Sequence, residues 1–156
     1  MKRGQILACS GLLLAALAAV GCSVARSQPP NPIMNISLQH FDGVEEVKYP
    51  WGWIRWLMNS KLDAGSAQTF GIVEIRAGRK NSLHMHPNCE ELLYVLSGSC
   101  EHRVGDKKAV LKPGDLVRIP ARTPHQATVH GKEPLRAVIS YSSGDRQVVD
   151  LGPGKE

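Results

Sequence analysis

Apolar and polar residues alternate with a period of two along most of the chain after residue 50, with glycine, proline, asparagine or aspartate after each short run. This pattern is typical of half-buried β-strands, and no long stretch carries the 3.6-residue period of an amphipathic helix. The sequence therefore predicts an all-β sandwich or barrel. The segments expected to hold its strands are 52–59, 69–78, 91–98, 99–106, 108–115, 116–123, 125–132 and 134–145.

The amino-terminal residues have a different pattern. Lys2 and Arg3 precede an apolar run over residues 6–20, which is the layout of a bacterial export signal. The run ends in LAAVGC, which resembles a lipobox and implies a lipid anchor at Cys22, although Ala19 stands where leucine is usual. Ordinary cleavage after Ala25 is the alternative. We expect the bacterial periplasm or cell envelope, with a soluble periplasmic or secreted protein as the alternative.

Three segments follow from this pattern. Residues 1–22 are the signal, residues 23–32 (SVARSQPPNP) are a polar, proline-rich tether, and residues 33–156 are one domain. The chain has 19 Lys and Arg against 14 Asp and Glu, and without Lys2 and Arg3 the basic count falls to 17. Because this mild excess is spread along the chain, we expect no nucleic-acid binding, and membrane contact only through the anchor.

The chemistry-bearing stretch is LHMHPNCEELLYVLSG, residues 83–98. Alternate strand residues share a face, so His84 and His86 point the same way, and after Pro87 the face of Glu91 continues into apolar residues. If that face lines the interior, two imidazoles and a carboxylate meet there, and a divalent cation would compensate the buried charge. The alternative is a pair of surface histidines beside two solvated glutamates.

The wider spacing resembles the cupin family. Five residues separate Gly78 from His84, four separate His86 from Glu91, and six separate Glu91 from Gly98. A second family motif follows in Gly114, Pro120 and His125. The resemblance implies a single cupin barrel, a double-stranded β-helix or jelly roll. It also implies one divalent metal ion, Fe or Mn or alternatively Zn, Ni or Cu, with the ligands His84, His86, Glu91 and His125.

The second motif departs from the family pattern at two positions. Arg122 stands where glycine is usual, which predicts a cost if the turn needs a positive φ. Val129 stands where asparagine is frequent, which removes a polar group but no ligand. Glu90 is the other acidic candidate, and the step to Gly98 favours Glu91.

A hairpin turning at Ser97 and Gly98 would place His102 inside the barrel beside Leu93. His102 is then the candidate catalytic acid or base, and a one-residue register error would turn it outward. The same hairpin keeps Cys89 and Cys100 too far apart for a disulfide, so we expect two shielded free thiols. His130 should point outward, His40 is given no role, and Arg118 and Arg122 are read as solvated charges.

All three tryptophans, Trp51, Trp53 and Trp56, lie in one short segment. Strict alternation places Trp51 and Trp53 with Leu57 on one face and Trp56 with Ile54 and Met58 on the other. A barrel buries only one face of a strand, so we predict that the other forms a homodimer contact that Trp56→Ala would weaken.

Two functions fit these observations. The first is a metal-dependent enzyme acting on a small organic molecule by dioxygenase-type or isomerase-type chemistry. The second is a non-catalytic binding module for a small molecule, such as a carbohydrate, with a structural metal. The sequence leaves the substrate, the metal and the occurrence of turnover open.

Overall fold

The computed structural model describes residues 37–152, which form eleven β-strands after a short 3-10 turn at Phe41–Gly43. The predicted signal and tether lie outside the described residues. The strands are β1 Glu46–Tyr49, β2 Gly52–Met58, β3 Thr69–Ile75, β4 His84–Met85, β5 Glu91–Ser97, β6 Cys100–Val104, β7 Lys107–Leu111, β8 Leu116–Ile119, β9 His125–Thr128, β10 Leu135–Tyr141 and β11 Val149–Asp150.

The strands form two antiparallel sheets. One sheet has the order β1-β2-β3-β10-β5-β8, and the other has the order β11-β4-β9-β6-β7. This is the predicted cupin barrel, a jelly roll in which two sheets enclose one core. No helix within residues 37–152 is long and apolar enough to cross a bilayer.

Alternation of burial decides which side chains form the core. In β3 and β10 every second residue is buried, and in β5 Glu91, Leu93 and Val95 are buried while the residues between them are exposed. Because strand side chains alternate between faces, each sheet gives one apolar layer to the interior. Val95, Leu135 and Ala137 are completely inaccessible to solvent at the centre of this layer.

The chain between β5 and β6 does not form the predicted hairpin. β5 pairs with β10 and β8, whereas β6 pairs with β7 and β9 in the opposite sheet. Gly98 turns the chain across the barrel with a φ of 72°, and a Cβ there would lie 2.1 Å from the carbonyl oxygen of Pro134. Close approach of two backbones therefore requires glycine at this corner.

The tryptophan segment also differs from the prediction. Trp51, Ile54 and Trp56 all pack against the core, because Trp51 lies in the turn before β2 and does not share the strand's alternation. Trp53 lies on the outer face with Phe41, its ring centroid 6.3 Å from that of Phe41. The outer face of β2 is thus partly covered by the chain's own residues.

Cys89 and Cys100 are free and buried, as predicted, although the hairpin used in that argument is absent. Burial raises the pKa of the Cys100 thiol to about 11. Both thiols are therefore small apolar core groups at neutral pH.

Candidate metal centre

Three strands bring the four predicted ligand residues together at one end of the barrel. His84 lies on β4 directly opposite His125 on β9, and Glu91 begins β5 in the facing sheet. His86 directly follows the end of β4, and Pro87 prevents the strand from continuing, so the chain crosses to the other sheet within a few residues. The four side chains each offer one ligand atom, and all these atoms lie within 4.8 Å of one another.

The contacts between these groups are short and buried. The Nε2 atoms of His86 and His125 each lie 3.1 Å from the same Oε2 atom of Glu91. His86, Glu91 and His125 are at most 4% exposed, and the His84 ring centroid lies 4.1 Å from that of His125. The carboxylate is therefore shielded from bulk solvent.

Backbone carbonyls fix the orientation of all three imidazoles. The Nδ1 atoms of His84, His86 and His125 lie 2.9, 2.7 and 2.9 Å from the carbonyl oxygens of Ser82, Gln147 and Thr123. A carbonyl oxygen can only accept, so each Nδ1 carries the proton. In a neutral imidazole with this tautomer, Nε2 has no proton and carries a lone pair, so it can only accept a hydrogen bond or bind a cation.

The lone pairs of His86 and His125 thus face a carboxylate oxygen that also can only accept. This arrangement is unfavourable unless a cation lies among the atoms, because none of the groups has a proton to donate. No lysine or arginine forms an ion pair with Glu91 within residues 37–152. The donor set, three imidazoles and a carboxylate held from behind by carbonyls, fits a divalent metal ion.

The electrostatic environment supports this conclusion. Burial and the neighbouring His125 lower the pKa of His84 to about 4, so its imidazole is neutral at physiological pH. Burial alone would raise the pKa of Glu91, whereas positive charge at the facing Nε2 atoms of His125 and His86 lowers it below the usual range. A neutral imidazole and an ionised carboxylate are the forms that bind metal.

The turn before His125 keeps the backbone conformation that glycine would give. Arg122 has a φ of 61°, and within residues 37–152 it is alone among non-glycine residues in having a positive φ. Its amide donates a hydrogen bond of 2.8 Å to the carbonyl oxygen of His86. Arg122 therefore has the positive φ for which a cost was predicted, and its hydrogen bond holds the backbone of a ligand residue.

A cavity of about 250 Å³ opens from the same group, and His84, Glu91, His102 and His125 lie in its wall. His102 is only 3% exposed, and its Nδ1 has no hydrogen-bond partner among the described residues. Its ring lies nearly parallel to that of His125 with centroids 6.2 Å apart, outside the ligand group. The inward orientation predicted for His102 is observed, although its strand, β6, belongs to the sheet opposite β5 and is not the hairpin partner of β5.

Two residues of this site were missed from the sequence. Tyr141 ends β10, is 4% exposed, and packs its ring edge-on to His86 at a centroid distance of 4.9 Å. Burial and the nearby Glu91 carboxylate raise its pKa well above 10, so the phenol stays protonated. Arg146 lines the cavity from the segment after β10. Tyr141 could have been identified from the alternation of β10, which turns every second side chain inward. No local spacing indicates Arg146.

The remaining polar candidates lie elsewhere. Glu90 points out of the barrel and accepts from Arg118, whose Nη2 lies 2.6 Å away. His130 is exposed, as predicted, and His40 is exposed beside Asp42. The choice of Glu91 over Glu90 therefore agrees with the geometry.

Comparison with known proteins places these features in a family. The family model described as "Cupin domain" matches residues 71–141, which include all four residues of the cluster. An uncharacterized protein of Methanocaldococcus jannaschii is 30% identical over 101 residues, covering 62% of this chain and 81% of that protein. Protein SchB of Streptomyces halstedii is 29% identical over 99 residues, covering 64% of this chain and 72% of that protein.

Solved structures with a similar fold include two bacterial enzymes. The formate complex of Lactobacillus farciminis oxalate decarboxylase superposes with a TM-score of 0.70 at 22% identity, over 82% of this chain and 39% of that one. Bacillus subtilis oxalate decarboxylase, in a study of its Mn(II) centres, gives a TM-score of 0.65 at 21% identity, over 71% and 31%. The chain thus spans about two fifths or less of these decarboxylases, and at this identity the likeness shows the fold.

Proposed function

The chain belongs to the cupin superfamily, and on that premise we propose that it is an exported enzyme that binds one divalent ion and acts on a small organic molecule. The ion would be held by His84, His86, Glu91 and His125. The observation that carries the proposal is the pair of imidazole lone pairs aimed at one buried carboxylate oxygen, with a cavity opening beside them. The Mn(II) centres of the Bacillus subtilis decarboxylase make manganese the first candidate, with iron second.

A bound divalent ion would supply Lewis acidity, and with iron or manganese also redox chemistry. The chain's own residues bind and orient the substrate and limit the entry of water. Backbone carbonyls hold the three imidazoles in one tautomer, and the apolar walls keep the site dry. His102, with its unpartnered Nδ1 in the same cavity, is the residue we assign to accept or donate the substrate's proton.

The reaction class is tested with the metal-loaded full chain. Oxygen uptake would indicate dioxygenase-type chemistry, and release of carbon dioxide would indicate decarboxylation. A changed product without either signal would indicate isomerisation. The expected result is turnover that falls about 100-fold or more in His102→Leu while the metal content stays unchanged. Equal turnover in His102→Leu would remove this residue from the reaction.

The alternative is a binding module with a structural metal. A cavity with direct access to the ligand group favours catalysis, since structural metal sites are closed. Binding of a small molecule without turnover by the metal-loaded chain would favour the module instead.

We also propose export with a lipid anchor at Cys22, from the basic start, the apolar run and the lipobox-like sequence. Mass spectrometry of the mature protein from an expressing bacterium tests it. The expected product begins at a lipidated Cys22. An unmodified product beginning at Arg26 would show ordinary cleavage and a soluble protein.

The homodimer is retained as a proposal with a different contact surface. Leu92, Tyr94 and Leu96 on β5 and Leu116 on β8 are 36–58% exposed on one outer face, and Tyr94 pairs directly with Leu116. β8 is the edge of its sheet, so a second copy could cover this face by a twofold contact.

Sedimentation at micromolar concentration tests this contact. We expect a dimer that Leu96→Glu converts to monomer, while Val110→Glu, at an exposed apolar residue of the other sheet, leaves the dimer intact. A monomeric unsubstituted chain would overturn the proposal.

A further inference from the structure

Arg146, in the wall of the cavity, has its guanidinium over two aromatic rings. Its guanidinium carbon lies 4.7 Å from the ring centroid of Trp56 and 5.1 Å from that of Tyr141. Both rings belong to the barrel interior, since Trp56 packs against the core and Tyr141 is buried. Stacking on both rings positions the guanidinium without using its N–H donors.

The hydrogen-bonding capacity of Arg146 is unused by its neighbours. Within residues 37–152 its guanidinium forms neither an ion pair nor a hydrogen bond, whereas Arg55, Arg118 and Arg136 each pair with a glutamate. A planar guanidinium with free donors matches a carboxylate, which it can bind with two parallel hydrogen bonds.

The charges around the cavity favour an anion. Two carboxylates lie in its wall, those of Glu91 and Asp150. Glu91 faces the imidazoles, and Asp150 accepts a hydrogen bond of 2.8 Å from the amide of Gly152. Without an ion the wall has one positive and two negative side chains, but Glu91 contacts His86 and His125 and Asp150 is exposed to solvent, which screens its charge. Arg146 is therefore the charge that a ligand carboxylate meets in the metal-free cavity, and a bound divalent ion would make the cavity more positive.

Much of the remaining cavity wall is apolar. Tyr49 and Trp51 stack with ring centroids 4.7 Å apart and an interplanar angle of 6°, and they line the cavity with Ile54, Leu93 and Ile139. Such a wall gains free energy by covering apolar surface of a ligand and gains nothing from a purely polar one. Oxalate, which has no apolar surface, would leave this wall uncovered.

From these features we propose that the cavity takes a small monocarboxylate with an apolar body, its carboxylate bound by Arg146 and its body against the Tyr49–Trp51 wall. The proposal rests on the proposed function, because it names the substrate class of the same cavity. Tyr141 contacts both Arg146 and His86. Because Arg146 and the ligand residues line the same cavity, a substrate with its carboxylate at Arg146 can extend toward the metal centre.

The test compares acids with neutral amides of nearly the same shape. Butyrate and butyramide, and benzoate and benzamide, are titrated by calorimetry into the full chain freed of metal with a chelator. Removal of the metal ensures that any preference for the acid arises from the protein's own residues. The same titrations are made with Arg146→Gln, with Arg146→Lys and with Arg136→Gln.

Arg136 is a matched control, since its guanidinium also lies over aromatic rings, 5.9 Å from Phe41 and 5.3 Å from Trp53, but on the outer face. We expect at least one acid to bind about 10-fold or more tightly than its amide, because hydrogen bonds to charged groups discriminate by about this much. Arg146→Gln should abolish this preference, Arg146→Lys should keep part of it, and Arg136→Gln should not change it.

Three results would overturn the proposal. These are equal binding of each acid and its amide, an unchanged preference in Arg146→Gln, or absence of binding by both acids. Thermal unfolding shows whether Arg146→Gln is folded, and Arg146→Lys provides the comparison if it is not. A manganese titration of the same samples separates the two claims, since a chain that prefers acids but binds no metal would contradict only the proposed function.

Discussion

Nε2 of His86 lies 3.1 Å from Oε2 of Glu91, while Nδ1 of the same ring donates to the carbonyl oxygen of Gln147 at 2.7 Å. The second contact assigns the proton to Nδ1, so the first joins two acceptors unless a cation is present. His125 repeats the arrangement toward the same oxygen, with Nδ1 directed to Thr123. Without a metal, this site has to take up a proton to remain stable.

Glu91→Gln should therefore have opposite effects with and without metal. In the chelated chain at pH 8, the glutamine amide can donate to the imidazole lone pairs, so the variant should be at least as stable as the unsubstituted chain. With Mn(II) about 100-fold above its Kd, the unsubstituted chain should gain about 3 kcal/mol in free energy of unfolding, and the variant should gain less. Urea unfolding measures both, with Glu90→Gln as the control. Large destabilisation of chelated Glu91→Gln would contradict the lone-pair argument.

His102 should make the chelated chain less stable on acidification. Burial lowers the pKa of His102 from 6.5 to about 4, so between these values the unfolded chain binds a proton that the folded chain does not. The free energy of unfolding then decreases as pH falls from 6.5 toward 4, by at most about 3 kcal/mol for this group. Urea unfolding of His102→Leu should show a shallower pH dependence in this window. An identical slope in the variant would show that His102 titrates normally.

Substitutions at two glycines should show how much stability is lost through a steric clash and how much through backbone strain alone. Gly98 and Gly114 both have positive φ, of 72° and 94°, but only at Gly98 would a Cβ meet another backbone, that of Pro134. Gly114→Ala should cost about 1–2 kcal/mol in free energy of unfolding from conformation alone. Gly98→Ala should cost clearly more, about 3 kcal/mol or above, because β10 must shift as well. Equal losses in denaturant unfolding would mean that the corner at Gly98 adapts without strain.

Substitution of Trp56 and of Trp53 tests which face of β2 belongs to the core. Trp56 packs inside with its ring centroid 6.2 Å from that of Tyr141, whereas Trp53 lies outside with Phe41. Trp56→Ala should lower the free energy of unfolding by about 3–5 kcal/mol, and Trp53→Ala by less. Chemical denaturation of the two variants measures the difference. A larger loss for Trp53→Ala would reverse the assignment of the faces.

Local alternation predicted strands β2, β3 and β5 to β10 and the inward face of β5, whereas the short strands β1 and β11 were not predicted. The parity of Glu91, Leu93 and Val95 holds because a strand's side-chain period does not depend on its partners. The assignment of β5 and β6 to different sheets could not be predicted, since it depends on which distant strands they meet. Trp51 was misassigned because the residue before a strand does not follow the strand's period.

The residues of the site likewise fall into those that the sequence predicted and those that it did not. His84, His86 and Glu91 form a local pattern that strand parity identifies, whereas His125 was assigned only through the resemblance to the second cupin motif. Arg146 joins the cavity only because the segment after β10 folds back over Trp56, a contact between residues far apart in the chain. Tyr141 lies on an inward position of β10, yet its contact with His86 depends on the crossing of the sheets.

The central claim, that these four residues form a divalent metal centre, is tested most directly by calorimetric titration of Mn(II) into the chelated full chain at pH 7.5. We expect a stoichiometry of about one for the unsubstituted chain, for His102→Leu, whose ring lies outside the ligand group, and for the control His130→Ala. We expect loss of binding when His86→Ala and His125→Ala are combined. Full stoichiometry in that double variant would contradict the assignment of the metal centre.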